Sequence, residues 1–364
     1  MKKHIALFTL GVASNFLLGS PYHYTEESVF SVEDAFQDNQ MESVFSRKNP
    51  KDVFQTKHSV FLNDAPRSTP SYNMKNWMEE NRTLLNKKPF YKIVLPGTHD
   101  AGAYGLNRKS ETVNLPKFLK KIRKLVWWLP GDGVVSRWSN TQKLTIGEQL
   151  NAGVRYFDLR ICQCGDKDFY LYHGLRGPNL EPVLQTFSDF LKNNKGEIII
   201  LDMSHFFGVS HEKLLNLINK YLASFYATKS DICDPVTYEE LIKQNKRCFV
   251  YYHEESLTQQ HPFLLGDSDS HWANKTKVKD LIKDLEEYHS TYNHNSPWIL
   301  QYVLTPDTKY VVKNPWGSVE DLAEKTHKHM KKNLKGFQKK FPLNIIMLDF
   351  VNESLCKEIV GLNF

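Results

Sequence analysis

The chain has 364 residues, 41% of them hydrophobic, and a formal net charge of +6 at pH 7. That length is sufficient for one large domain with a substantial core. The modest positive charge favours an anionic membrane surface and does not by itself indicate a nucleic-acid partner. The sequence contains no P-loop, no dinucleotide-binding glycine pattern and no zinc-type spacing of Cys and His. The classes of protein that depend on those motifs are therefore excluded.

The first 20 residues resemble a secretory signal peptide. A basic start, Met1 to His4, precedes an apolar stretch that Asn15 interrupts, and Pro21 disfavours cleavage after Ser20. The stretch is too short and too broken to predict a membrane span. The five cysteines, at 162, 164, 233, 248 and 356, argue the other way. Their odd number and spacing favour reduced thiols. A secreted location and a cytoplasmic one with peripheral membrane association both stay open.

Residues 21–72 are predicted to form a disordered leader. They are rich in Ser, Asn, Asp, Glu and Lys, and their apolar residues recur without a steady period. Alternating strand and helix patterns begin after this leader, so residues 75–364 are predicted to form a single domain.

The strand-like runs and helical patterns alternate along the rest of the chain. The runs lie at 92–96, 154–160, 169–173, 197–203, 247–252, 298–304 and 344–350, and the helical patterns at 179–194, 211–224, 275–288 and 319–334. Such alternation is typical of parallel strands joined by crossover helices. We predict an α/β fold, an irregular or incomplete TIM-type (β/α) barrel, with its site at the carboxyl ends of the strands.

A basic amphipathic segment follows the first strand. Residues 115–128 read LPKFLKKIRKLVWW and end in Trp127 and Trp128. A helix of this kind suits a membrane interface, where each basic residue near an anionic surface adds about 1 kcal/mol. Its apolar stripe would equally suit packing against the barrel, with the lysines in water. Membrane contact by Trp127 and Trp128 is therefore one of two interpretations.

Polar residues that can do chemistry recur at the ends of the strand-like runs. They are His99, Asp100, Asp158, Arg160, His173 and Asp349. Two histidines can divide the roles of general base and general acid, and an arginine can hold a phosphate between them. Any one of these residues alone is more often part of a polar loop or an ordinary ion pair. Their recurrence at strand ends favours a single site, and the combination suits a phosphodiester cleaved without a metal.

The same motifs carry a resemblance to a known family. They read LPGTHD at 95–100, GEQLNAGVRYFDLR at 147–160, HG at 173–174, IILDMSHF at 199–206, QYVLTP at 301–306 and LDFV at 348–351. In this order they resemble the X-domain of phosphatidylinositol-specific phospholipase C, especially the stand-alone X-domain proteins of animals, which are also similar to the secreted bacterial enzymes. The resemblance covers residues 75–364 and implies a catalytic barrel that cleaves phosphatidylinositol in membranes.

The resemblance also implies a role for each site residue. His99 would be the general base and His173 the general acid. Asp349 would orient His99, and Asp100 would support His173. The implied roles of the other two residues are that Arg160 holds the non-bridging phosphate oxygens and that Asp158 orients Arg160 or the attacking hydroxyl.

Arg160 also bears on the cofactor. The calcium-dependent eukaryotic enzymes of this family carry an acidic residue at that position and an asparagine after the first histidine, whereas this chain has Arg160 and Asp100. A guanidinium would supply fixed positive charge in place of calcium. We therefore expect no cofactor and no metal, as in the bacterial enzymes. The sequence identifies no protein partner.

Four further residues near strand ends are candidates for binding inositol hydroxyls, namely Lys92, Ser204, His205 and Tyr302. Each would also be unremarkable as a polar residue of the core or rim. The bacterial-type enzymes have a lysine near the strand end at which this chain has Ser204 and His205, and this chain has no lysine there. Two alternative functions stay open: a metal-dependent glycerophosphodiesterase or sphingomyelinase-like enzyme, and a catalytically inactive protein that binds inositol lipids.

Overall fold

Ten β-strands form one sheet in the part of the chain that the structure describes. The structure is a computed structural model, and it describes residues 69–115, 120, 132–166, 168–233, 236–291 and 297–364. The strands are β1 (Leu95–Thr98), β2 (Tyr156–Cys164), β3 (Asp168–His173), β4 (Leu175–Asn179), β5 (Ile199–Phe207), β6 (Cys248–Tyr252), β7 (Leu264–Leu265), β8 (Asp269–Ser270), β9 (Trp298–Gln301) and β10 (Ile345–Leu348).

Eight of these strands follow the order β7-β6-β5-β2-β1-β10-β9-β8, and every neighbouring pair along this path is parallel. The end strands β7 and β8 are not paired with each other within the described ranges. The curled parallel sheet is therefore an incomplete barrel, and the predicted α/β fold is confirmed. β3 and β4 form an antiparallel extension that is attached to β2.

Helices lie between most of the parallel strands, because parallel strands need crossover connections. The α-helices span Trp77–Glu80, Arg82–Leu85, Asp132–Arg137, Ile146–Asn151, Leu180–Asn193, His211–Leu222, Ser230–Cys233, Tyr238–Lys243, Glu255–Thr258, Val278–Thr291, Thr308–Lys313, Val319–Lys340 and Glu353–Val360. Short 3-10 helices span Met74–Asn76, Phe90–Lys92, Ala223–Phe225 and Gly361–Asn363. The four predicted helical segments each contain most of a long helix.

The core lies between the sheet and the surrounding helices. β6 is buried along its whole length, and β5 is buried from Ile199 to Met203, because a parallel strand of a barrel is covered on both faces. Near the amino ends of β2 and β5, Arg155 Nη2 lies 2.7 Å from Glu197 Oε2, and both side chains are fully buried. Glu197 also accepts backbone hydrogen bonds from Met78 and Glu79. This ion pair fastens the amino-terminal turns to the sheet.

Several predictions concern residues outside the described ranges. The signal-peptide-like segment 1–20, the leader up to residue 68, and Trp127 and Trp128 all lie there. The single-domain boundaries at 75–364 also stay a prediction. Among the residues that are described, no helix is both long and apolar enough to cross a bilayer.

Candidate active site

The carboxyl ends of β1 and β10 place a histidine beside a carboxylate. The strands are parallel neighbours with Thr98 opposite Leu348, so the residues that follow them, His99 and Asp349, emerge side by side. His99 Nδ1 lies 2.7 Å from Asp349 Oδ1. Because Nδ1 is occupied by Asp349, Nε2 is the ring nitrogen left for proton transfer to or from a substrate.

Asp100 lies at the centre of the charged groups. Its φ of 42° is in the left-handed region, which a non-glycine residue adopts only when its surroundings hold it there. The Asp100 carboxylate contacts Arg160 Nε, and its Oδ2 lies 3.3 Å from Nε2 of His99 and 3.3 Å from Nε2 of His173. These are charge contacts rather than aligned hydrogen bonds, since no donor of good geometry reaches either oxygen from the described residues.

Arg160 projects from β2 toward the first histidine. Its Nη2 lies 3.4 Å from His99 Nε2, and its side chain is 24% exposed. The carboxylate that contacts the guanidinium is that of Asp100, whereas Asp158 accepts the backbone N–H of Asp100 at 2.9 Å. Asp158 therefore connects to Arg160 through Asp100, and its predicted role, to orient Arg160 or the attacking hydroxyl, stays a prediction.

A bulge in β5 brings Ser204 to this group. Met203 pairs with Leu159, but the next residue of β2, Arg160, pairs with His205, so Ser204 is the extra residue. Bulges of this kind redirect side chains next to functional sites. Ser204 Oγ donates to Asp158 Oδ1 at 3.0 Å and lies 2.8 Å from His205 Nδ1. Both predicted substrate-binding residues of β5 thus adjoin the site.

His173 reaches the site by a different route from that predicted. β2 continues beyond the edge of the parallel sheet, and β3 returns antiparallel to it, with Leu171 opposite Ile161. The return brings His173 back toward Arg160. The Nδ1 of His173 lies 2.8 Å from the backbone carbonyl oxygen of Ser139. Since a carbonyl oxygen only accepts, Nδ1 carries a proton, and Nε2 faces Asp100. The His99 and His173 ring centroids are 6.4 Å apart.

The two histidines have opposite proton affinities. Burial lowers the pKa of the His99 imidazole, but the charges of Asp100 and Asp349 and the Asp349 hydrogen bond outweigh burial and raise it from 6.5 to about 9. The pKa of His173 is lowered, chiefly by burial, and the charge of Asp100 opposes this only in part. Two interacting groups titrate as a pair. Around neutral pH the pair therefore holds one proton more than two neutral rings would, with His99 as the imidazolium and His173 neutral.

The Asp100 carboxylate stays ionised across the physiological range. Burial raises its pKa, but the charges of Arg160, His173 and His99 outweigh that effect and lower the pKa from 3.8 to about 2. Burial likewise lowers the pKa of the Arg160 guanidinium, and the charges of Asp100 and Asp158 more than reverse it, so that the pKa is raised. The site thus combines a permanent anion, a permanent cation and one mobile proton.

The structure does not bring the other two predicted substrate residues to this site. Lys92 ends a 3-10 helix that precedes β1, so it lies at the amino end of the strand, whereas the site lies at the carboxyl end. Tyr302 is 1% exposed, and its hydroxyl lies 2.5 Å from Nδ1 of His329 on the helix Val319–Lys340. Its side chain therefore points into the helix layer. The structure thus brings neither residue to this site, and a substrate-binding role for either one stays an untested prediction.

His253 is a site neighbour that sequence reasoning missed. It directly follows β6, and its Nε2 lies 2.8 Å from Asp202 Oδ1. The other oxygen of Asp202 accepts the Tyr156 hydroxyl at 2.5 Å. Burial lowers the pKa of His253, but Asp202 outweighs it and the pKa is raised. The signal was available, because His253 follows its strand as His99 follows β1.

The donor set does not fit a calcium ion. His99, Asp100 and Asp158 offer donor atoms that all lie within 4.8 Å of one another, but Ca²⁺ takes six to eight oxygen ligands. The Arg160 guanidinium contacts Asp100 and lies against His99. It therefore places a fixed positive charge beside the atoms that a cation would need.

A sequence model of the family described as PI-PLC X 1 matches residues 133–353. The chain belongs to the PI-PLC X family. The match includes Arg160, His173 and Asp349, and it begins after His99. Human PI-PLC X domain-containing protein 2 is 30% identical over 254 residues, which are 68% of this chain and 82% of that protein. Human PI-PLC X domain-containing protein 1 is 30% identical over 258 residues, 68% of this chain and 78% of that protein.

Solved structures share the fold. The phosphatidylinositol-specific phospholipase C of Listeria monocytogenes aligns with a TM-score of 0.53 at 20% identity, over 80% of this chain and 99% of that one. A Staphylococcus aureus phosphatidylinositol-specific phospholipase C aligns with a TM-score of 0.59 at 17% identity, over 82% of this chain and 100% of that one. Family membership and fold together support a phosphodiesterase of the PI-PLC type.

Proposed function

We propose that this PI-PLC X protein is a metal-independent phospholipase C that cleaves phosphatidylinositol to diacylglycerol and a cyclic inositol phosphate. The observation that carries the proposal is the position of Asp100 and Arg160 between two imidazoles whose Nε2 atoms each lie 3.3 Å from the same carboxylate oxygen. An anion, a cation and two proton carriers at this spacing match the needs of a phosphodiester that is attacked on one side of the phosphorus and loses its leaving group on the other.

In the proposed reaction, the 2-hydroxyl oxygen of inositol attacks the phosphorus, and the bond from phosphorus to the diacylglycerol oxygen breaks. The hydroxyl proton passes to His99 Nε2, and His173 Nε2 donates a proton to the departing oxygen. The cyclic 1,2-phosphate is the first product, because a hydroxyl on the same ring closes far faster than water attacks. Water then opens the cycle more slowly, with the two histidines exchanging roles.

In the reactive form of the enzyme the extra proton of the histidine pair is on His173, whereas the pKa values favour His99 as the protonated ring. The proton must therefore move from one imidazole to the other before attack. Asp100 Oδ2, at 3.3 Å from both Nε2 atoms, stabilises either location. Asp349 then stabilises the His99 imidazolium that attack produces, as the carboxylate of a catalytic triad does.

Arg160 supplies the charge that stabilises the transition state. Its side chain is held by Asp100 and is one-quarter exposed, so its terminal nitrogens are open to the non-bridging phosphate oxygens. A planar fork of donors matches two such oxygens at once. Asp158, which accepts the Ser204 hydroxyl, is proposed to orient the attacking hydroxyl.

Headgroup and membrane contacts complete the proposal. Ser204 and His205, beside Asp158 and Arg160, are proposed to bind inositol hydroxyls. Trp127 and Trp128 are proposed to contact the membrane that holds the substrate. Replacing both tryptophans with Ala is then expected to weaken binding to phosphatidylinositol vesicles in a sedimentation assay and to leave turnover of a soluble substrate intact. Unchanged vesicle binding would exclude a membrane role for these residues.

A second candidate function is a metal-dependent phosphodiesterase of the glycerophosphodiesterase or sphingomyelinase type. The observation in its favour is the cluster of His99, Asp100 and Asp158, whose donor atoms lie within 4.8 Å. In that case Mg²⁺ would be required. Chelation therefore separates the two candidates.

The experiment that tests the proposal measures water-soluble inositol phosphate released from phosphatidylinositol vesicles, first in EDTA and then with Ca²⁺ or Mg²⁺ added. His99→Ala is expected to abolish release. His261→Ala, which changes a histidine that packs on Phe263, is the matched control and should retain it. Release that appears only with a metal would favour the second candidate. Vesicle binding without release in any buffer would favour a catalytically inactive lipid-binding protein.

A further inference from the structure

A four-residue segment, Ser139–Gln142, contacts both histidine-bearing parts of the site. It lies between the helices Asp132–Arg137 and Ile146–Asn151. Ser139, Thr141 and Gln142 are each at most 1% exposed. The carbonyl oxygen of Ser139 accepts from the ring of His173, as described above. The segment therefore fixes His173 through a backbone atom, and Thr141 and Gln142 contact the backbone around His99.

Gln142 ties together the ends of the two strands that carry His99 and Asp349. Its Nε2 donates to the carbonyl oxygen of His99 at 2.9 Å and to that of Leu348 at 3.0 Å. Its Oε1 accepts the backbone N–H of Val351 at 3.1 Å. One side-chain amide thus fixes the backbone of His99 and the residues on both sides of Asp349. These contacts use all but one of the hydrogen-bonding positions of an amide.

Thr141 holds two strained residues beside the same pair. Asp100 and Phe350 directly follow His99 and Asp349, and their φ angles of 42° and 49° are left-handed. The Thr141 hydroxyl donates to the carbonyl oxygen of Asp100 at 3.0 Å, and the Thr141 carbonyl oxygen accepts the Phe350 N–H at 2.6 Å. Left-handed residues of this kind persist only where their surroundings fix them.

We infer that Gln142 is a positioning residue of the proposed reaction, which sets the spacing of His99 and Asp349 by tying the ends of β1 and β10 together. The inference rests on the proposed function for its kinetic consequences only. A misplacement of about 1 Å at a reacting group can cost about a hundredfold in rate. The hydrogen bonds of Gln142 go to backbone atoms of His99, Leu348 and Val351, so its effect passes through the backbone.

The chain offers a matched control at the other end of β1. Asn363 is also buried, and its side-chain amide bonds both the N–H and the carbonyl oxygen of Val94, at 2.8 and 2.9 Å. Gln142→Met and Asn363→Leu each replace a buried amide by an apolar group of similar size. Both are expected to lower the midpoint of urea denaturation, because each leaves buried backbone groups without partners.

Only the Gln142 variant is expected to change the site. In Gln142→Met the kcat on phosphatidylinositol should fall at least tenfold, with KM within about twofold of wild type, because transition-state geometry is lost and ground-state binding is kept. In an NMR titration the pKa of His99 should fall and the Nδ1 proton shared with Asp349 should exchange faster. Asn363→Leu should keep the wild-type values of all three.

Equal kcat, His99 pKa and proton exchange in the two variants would overturn the inference. If Gln142→Met does not fold, Gln142→Asn takes its place, since it keeps an amide that is too short to reach both strands, and the same comparison applies. The NMR readout also separates this inference from the proposed function. A wild type without phospholipase activity would refute the function, whereas the His99 titration would still decide the role of Gln142.

Discussion

Replacing Asp349 with Asn tests how the first histidine is tuned. The carboxylate lies 2.7 Å from His99 Nδ1, and asparagine keeps an acceptor there while it removes the charge. An opposite charge at such range raises a histidine pKa by about one to three units. The His99 pKa of about 9 is therefore expected to fall by that amount in Asp349→Asn.

The same change is expected to alter the rate. Each pKa unit corresponds to about 1.4 kcal/mol of preference for the imidazolium. Below about pH 9 the free enzyme also contains this imidazolium and loses the same stabilisation. The loss of kcat/KM should therefore appear in full only above pH 9, where His99 is neutral in the free enzyme, and it should there be about 1.4–4 kcal/mol, roughly 10- to 1000-fold.

The assay is the pH dependence of kcat/KM on a soluble inositol phosphodiester, together with an NMR titration of the histidine rings. The reaction needs one of the two histidines protonated and the other neutral, so the wild-type profile should be bell-shaped. The alkaline limb should lie near the His99 pKa of about 9, and the acidic limb should lie below pH 6.5. In Asp349→Asn the alkaline limb should move to lower pH.

Asp284→Asn is the matched control. Asp284 forms a similar carboxylate–histidine pair with His271, at a distance of 2.6 Å, outside this site. The pH profile of this variant should stay at the wild-type position. An alkaline limb and a His99 titration that both stay near pH 9 in Asp349→Asn would refute this account of the tuning.

Three further predictions follow from the same contacts. Arg160→Lys keeps the charge but loses the planar fork. The transition state should lose about 2–4 kcal/mol of stabilisation, which lowers kcat/KM roughly 30- to 1000-fold. Arg82→Lys is the control, and activity of Arg160→Lys near wild type would contradict the role of Arg160. Glu197→Gln leaves buried Arg155 without its charged partner and should lower the free energy of unfolding by about 3–5 kcal/mol in urea denaturation; a change below about 1 kcal/mol would show that the pair contributes little. The raised pKa of His99 stabilises the fold fully below pH 6.5, and this contribution of about 3 kcal/mol should be lost as pH rises through about 9. The wild type should therefore lose more stability than His99→Gln over that range, and parallel curves would contradict the pKa shift.

The sequence predicted the parts of the fold that repeat with a regular period. The first five residues of β5 and all of β6 and β10 are buried runs, and the helix predicted over 179–194 spans Leu180–Asn193. The two-residue strands β7 and β8 are too short to show a period, and β4 contains Gly177 and Pro178, which argue against a strand. These three strands therefore could not be predicted from local pattern.

Strand direction decided which site residues could be predicted. The rule that sites lie at carboxyl ends brought His99 and Asp349 together because β1 and β10 are parallel neighbours. The same reasoning did not distinguish Lys92, which lies at the amino end of β1, from residues at the carboxyl end. It also could not foresee that His173 arrives on an antiparallel return, since the period of a strand carries no information on its direction.

The contacts that hold the site together could not be predicted from the types of the residues that make them. Gln142 and Thr141 act through backbone atoms of residues that are distant in sequence, and a buried glutamine in a loop looks like any surface glutamine in a sequence. The direct partner of Arg160 was missed for a related reason, because the left-handed backbone of Asp100 turns its carboxylate toward the guanidinium. Only the three-dimensional structure shows these arrangements.

The central claim is attack by the inositol hydroxyl, with two histidines and an arginine and without a metal. Its most direct test is ³¹P NMR of the products formed from phosphatidylinositol in EDTA. We predict that the resonance of a five-membered cyclic phosphate appears first and that an inositol monophosphate follows more slowly. An inositol monophosphate that forms directly, or product that forms only when a divalent cation is added, would contradict the claim.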